Sequence, residues 1–119
     1  MTTPTEIILH QQSKMLEIAF NDGTRYTFSF EFLRVFSPSA EVRGHGEGQE
    51  ILQVGKKNVN IINVEPAGSY AAKLVFDDGH DSGLYSWDYL QELGQQQVAR
   101  WQDYLAQLEA AGESRDAVN

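Results

Sequence analysis

Apolar positions along the chain alternate in short runs far more often than they recur at helical spacing. Residues 6–10 set Ile7 and Leu9 against Ile8 and His10. Residues 15–20 put Leu16, Ile18 and Phe20 on one face, and 24–28 return with β-branched and aromatic side chains. Period-two alternation is what a half-buried strand requires. Turn residues separate the runs, first at 11–14 and then at Asn21, Asp22 and Gly23. Asp-Gly between apolar runs is a strong hairpin signal, because the turn needs positive φ where glycine costs little. Further strands are predicted at 51–54, 59–65, 70–76 and 82–85, with turns at 55–58 and 77–79. Pro66, Ala67 and Gly68 are expected to break the run at 59–65.

Three stretches read as helix. Residues 31–36 stop at Ser37, because a proline at 38 disfavours helical backbone in the residue before it. Residues 87–93 are expected to stop at Gly94, a glycine just past a helix end. Residues 95–111 carry Val98, Trp101, Leu105 and Leu108 in one stripe, expected to pack on the domain's own sheet. A partner helix is the alternative, but fewer than two heptads support it. Residues 1–5 read as a polar leader, 112–119 as a frayed, disordered tail, and 37–48 as irregular chain with glycines at 44, 46 and 48.

The chain also repeats itself. Phe20, Asp22 and Gly23 match Phe76, Asp78 and Gly79, and FSFEFL at 28–33 matches YSWDYL at 85–90. Ser29 and Ser86 sit where an N-cap opens a helix, with Glu31 and Asp88 in the first turn. Each copy therefore reads strand, Asp-Gly turn, strand, helix start. The expected fold is α+β: antiparallel β-hairpins in a pseudo-repeat, with short helices and a C-terminal helix, as one domain over 1–111.

Composition narrows the function classes. A chain of 119 residues with 41% apolar content supports one core. The net charge of −8 and a pI near 4.7 argue against nucleic acid and anionic membrane as partners. There is no cysteine, hence no disulfide and no thiolate site. The opening residues lack a basic region and a long apolar run, so a cytoplasmic location is expected.

Four chemistries can be weighed on the residues. His45, Glu47 and His80 have the residue types of a two-His, one-carboxylate iron site, but three histidines in 119 residues produce such a triplet easily. The glycines at 44, 46, 48 and 55 with Lys56 do not match a phosphate loop, which needs Gly-Lys followed by Ser or Thr. Asp77, Asp78 and Asp81 crowd one turn, where side chains more often cap backbone than catalyse. Ser37, Ser39, Ser82 and Ser86 lie in no nucleophile motif. Aromatics are many, and any left outside the core would mark a partner surface.

LRVFSPSAEVRGHGEGQ at 33–49 and FDDGHDSGLYSWDYLQELG at 76–94 resemble the gamma-butyrobetaine hydroxylase-like N-terminal domain family, in its stand-alone bacterial form. The resemblance covers roughly residues 6–95. It implies a small α+β domain that is not catalytic. In gamma-butyrobetaine and trimethyllysine hydroxylases the domain precedes an iron and 2-oxoglutarate oxygenase domain. A similar domain is attached to some P-loop iron–sulfur cluster carrier ATPases. In the hydroxylases it carries zinc on three Cys and one His, whose positions fall here at Ser37, Ser39, Val42 and His80. Serine and valine cannot replace thiolates on zinc, so hydrogen bonds from Ser37, Ser39 and Glu41 are expected to hold the loop. Arg34 matches the family arginine and is expected to pair with a carboxylate such as Glu31 or Asp88.

The resulting expectation is an accessory domain without enzymatic activity or cofactor. It would dock an oxygenase or an iron–sulfur assembly protein, or homodimerise, through a surface of Arg34, Ser37, Ser39, Glu41, Arg43, His45, His80 and Trp87. The alternative is an iron or zinc protein using His80 with His45 and Glu41.

Overall fold

The computed structural model describes residues 2–44, 48 and 50–116. Two antiparallel three-stranded sheets form the body. β1 (Pro4–His10), β2 (Met15–Phe20) and β3 (Arg25–Ser29) make the first, in that order. β4 (Ile61–Ala67), β5 (Ala71–Phe76) and β6 (Leu84–Ser86) make the second, in the same order. α1 (Phe30–Val35) follows the first sheet and α3 (Trp87–Gln95) the second, with α2 (Ala40–Arg43) between the halves and α4 (Gln97–Ala111) at the end. The fold is α+β.

The two copies match in detail. Phe20 and Phe76 each bond across a turn, to the carbonyls of Thr24 and His80. Gly23 and Gly79 have φ of +89° and +86°, and Asp22 and Asp78 accept the N–H two residues on. Both sheets carry a register shift at the start of the outer strand, between Pro4 and Glu6 and between Ile61 and Asn63. Ser29 and Ser86 cap α1 and α3 through the N–H groups of Phe32 and Tyr89. The same turn and cap chemistry has produced the same unit twice.

Neither unit encloses a core alone. Leu16, Ile18, Phe28 and Phe32 from the first copy share one cluster with Ile61, Leu74, Phe76 and Tyr85 from the second. Each large apolar side chain buried there contributes about 1.5–3 kcal/mol. α4 adds a smaller cluster in which Tyr104 and Leu108 meet Val35.

Several boundaries differ from the sequence reading. β1 begins at Pro4, inside the expected leader. Residues 51–54 form no strand: Leu52 and Val54 pack on the second cluster, and the Gln53 carbonyl accepts from the Tyr104 hydroxyl at 2.7 Å. β4 runs through Pro66 to Ala67, because it is an edge strand and an edge tolerates a missing N–H. Ser39 opens α2 in the stretch read as irregular. Gly94 lies inside α3, where a Cβ would overlap the Tyr26 ring; it serves close packing. On α4 the packed residues are Trp101, Tyr104 and Leu108, while Val98 and Leu105 of the expected stripe are exposed. The chain after α4 is held through residue 116: Ser114 and Arg115 accept from the N–H groups of Gly55 and Lys57.

Candidate functional site

The polar residues singled out in the sequence converge where the linker after α1 meets the second Asp-Gly turn. Ser37 follows α1 and Ser39 caps α2. His80 is placed by Asp78, whose carboxylate accepts the His80 N–H at 3.2 Å. The His80 ring lies 2.8 Å from Ser37 Oγ through Nε2 and 2.9 Å from Glu41 Oε2 through Nδ1. A carboxylate only accepts, so Nδ1–H donates to Glu41, which in the neutral ring leaves Nε2 to accept from the Ser37 hydroxyl. Ser37 Oγ in turn accepts the Ser39 N–H at 3.3 Å. Ser39 Oγ meets Ser82 Oγ at 2.6 Å.

This chain has the connectivity of a Ser–His–acid triad, which no sequence motif announced. Its surroundings oppose nucleophilic use. Ser37 is 1% exposed and His80 3%. Gly83 backs onto Ser37 Oγ so closely that a Cβ there would overlap it. A substrate carbonyl has no approach to the hydroxyl. The arrangement acts as a strut between the two halves.

The positions that the family resemblance gives to zinc fit the metal no better. Val42 offers no donor, the hydroxyls of Ser37 and Ser39 bond to His80 and Ser82, and both ring nitrogens of His80 are in use. Among the described residues no group of three His, Asp or Glu side chains is placed to hold a metal ion. His45, the other histidine nominated with Glu41, lies outside the described residues.

Arg34 is buried and does not pair with Glu31 or Asp88. Its Nε donates to Asp78 at 2.9 Å and a terminal nitrogen to Gln53 at 2.9 Å, and Lys56 reaches Asp78 at 2.8 Å. Burial pushes the Asp78 carboxyl up, but the Lys56 hydrogen bond and the Arg34 charge outweigh it, and its pKa falls to about 2. Glu31 is claimed instead by Arg115, through two hydrogen bonds of 2.8 and 2.7 Å. Nothing local signals that pair, whose members are 84 residues apart. Trp87 is half-buried, donating its indole N–H to the Ser69 carbonyl at 2.8 Å, and does not join the cluster.

Beside the strut lies a cleft of about 230 Å³. Val35, Val42 and Leu52 give it apolar wall, and α4 contributes Arg100, Tyr104 and Gln107. Arg43 stands over the Tyr89 ring and Arg100 over the Phe36 ring, each 5.7 Å from the centroid. Tyr89 and Tyr104 direct their hydroxyls to the carbonyls of Phe36 and Gln53. Burial pushes the Tyr104 phenol up to about 12, so it remains a donor at ordinary pH.

Two sheets joined in one core, each capped by a serine-led helix, define a small α+β domain built from a duplicated unit, with its polar network at the join. The family model for the gamma-butyrobetaine hydroxylase-like N-terminal domain matches residues 7–91, and the chain belongs to that family. A solution structure determined by NMR is 54% identical, with a TM-score of 0.85, covering 100% of this chain and 94% of the other. A second NMR structure is 51% identical with the same TM-score, covering 100% and 89%. A crystal structure of a protein of unknown function from Acidithiobacillus ferrooxidans ATCC 23270, placed in the DUF971 family, is 36% identical with a TM-score of 0.65, covering 77% and 92%. No curated protein matches the chain. The family model ends inside α3, so α4 and its wall of the cleft lie beyond it.

Proposed function

We propose that this chain is a non-catalytic accessory domain of the cytoplasm that docks a protein partner through the cleft beside the Ser37–His80–Glu41 strut. One observation carries the reading. The side chains with chemical potential, His80, Ser37, Asp78 and Arg34, are spent on one another inside the fold, while the neighbouring cleft presents apolar wall and arginine outward. Pockets of that kind anchor single side chains of a partner. Of the nominated surface, Ser37 and Arg43 line this cleft; Arg34, Ser39 and His80 are buried in the fold.

Family resemblance supplies two partner classes to try: an iron and 2-oxoglutarate oxygenase, and a P-loop iron–sulfur carrier ATPase. Among the described residues no helix is long and apolar enough to cross a membrane. Sedimentation velocity of the chain mixed with each purified candidate is the test. A saturable complex that is lost in Arg43→Glu, with thermal stability retained, supports docking at the cleft. A complex with neither candidate, or one indifferent to the substitution, counts against it.

A further inference from the structure

The cleft exists because of an extension. Arg100, Tyr104 and Gln107 come from α4, beyond the residues the family model matches. That helix is fixed twice, by Tyr104 and Leu108 in the second cluster and by the strap after it, where Arg115 grips Glu31 and stacks on Trp101 at 5.2 Å. The wall is therefore rigidly mounted.

Charge at the mouth is unusual for this chain. Among its nine basic residues, seven lie against a carboxylate: Arg25, Arg34, Lys56, Lys57, Lys73, Arg100 and Arg115. Lys14 donates to the Asn58 carbonyl at 2.8 Å. Arg43 alone has no carboxylate or carbonyl acceptor among the described residues, although the chain is acidic by eight charges. It is parked over Tyr89, a placement that holds a guanidinium in position without consuming its donors. The acidic groups nearby are Glu50, which lines the cleft, and Glu92, which occupies Arg100 at 3.1 Å.

We infer that the occupant is a segment of a partner protein that inserts one large apolar side chain and sets an adjacent carboxylate on Arg43. The volume fits this choice. Pockets for free ligands begin at about 300 Å³, and about 230 Å³ suits one anchoring side chain. The inference rests on the docking reading and adds the partner's chemistry to it.

Amide-resolved NMR titration of the full chain tests it. One probe is an end-blocked pentapeptide with phenylalanine between two glutamates and serine at either end; the other replaces both glutamates by glutamine. The glutamate peptide is expected to move the amides of Val42, Arg43, Leu52 and Gln53 saturably and to bind about fivefold more tightly, the worth of one exposed ion pair. Arg43→Glu, folded by the same spectrum, should abolish that preference. Equal affinities, or a preference that survives the substitution, overturn the acidic occupant and leave a cleft that docks by apolar contact. Phenylacetate matching the peptide overturns the protein source in favour of a free acid. Silence of the cleft amides with every probe overturns the inference, while the docking reading is judged separately by the sedimentation of whole partners.

Discussion

His80 stands where the first copy of the repeat has Thr24, and the difference shows what each turn does. Thr24 donates its hydroxyl and N–H to Asp22, and its hydroxyl accepts only one bond from beyond the turn, from Gln91 on α3. His80 keeps the turn bond to Asp78 and reaches across the fold to Ser37 and Glu41. Ser37→Ala should leave a buried ring nitrogen without a donor and cost about 1–3 kcal/mol in urea unfolding. Glu41→Gln, on an exposed side chain, should cost far less; equal losses would mean that the strut is not what matters. Asp78 gives a pH test. Its folded pKa is depressed, so its stabilisation is present above the ordinary carboxylate range and is lost as pH falls towards about 2. Asp78→Asn should therefore unfold more readily than the parent at neutral pH, and the gap in denaturation midpoint should close between about pH 4 and pH 2. Repeat and turn made Asp78 and His80 conspicuous in the sequence. The family resemblance set Ser37 beside His80, 43 positions away, as zinc positions, but the pairing of Arg34 with Asp78, 44 positions away, was not legible, because long-range pairing leaves no local pattern.

At the level of elements, period-two alternation and Asp-Gly turns disclosed the two hairpin units, and Ser29 and Ser86 disclosed two helix starts. Where a tertiary contact outweighed local preference, the boundaries moved. Gly94 is the clearest case. As a residue past a helix end it would need positive φ, but it continues α3 against Tyr26. The two roles differ in sign. Alanine at an open helical position would stabilise by about 1 kcal/mol relative to glycine, whereas Gly94→Ala here must displace an aromatic ring. The melting temperature of Gly94→Ala should fall, and a rise would show that the ring yields freely. The cap of α2 was present in the sequence as Ser39 followed by Glu41, but four residues are too few for a periodic signal.

For the molecule as a whole, the C-terminal segment matters more than its polar composition indicates. Read as a frayed tail, it instead bonds to Gly55 and Lys57 and neutralises Glu31, which is 5% exposed. Removing residues 113–119 should destabilise by about 1–3 kcal/mol, since a buried carboxylate loses its charged donor; an unchanged urea midpoint would restore the frayed tail. The same truncation should weaken peptide binding at the cleft by loosening α4.

The sharing of one core by both copies also governs how the protein opens. Each copy is a local meander whose strands neighbour one another in sequence, a topology that forms quickly. A three-stranded sheet that must borrow the other's apolar face cannot persist alone, so β2 and β5 should surrender their amides to deuterium at one common opening free energy. α4 rests on a separate, smaller cluster. Its amides should exchange earlier, through a partial unfolding that erases the cleft and leaves the duplicated body intact.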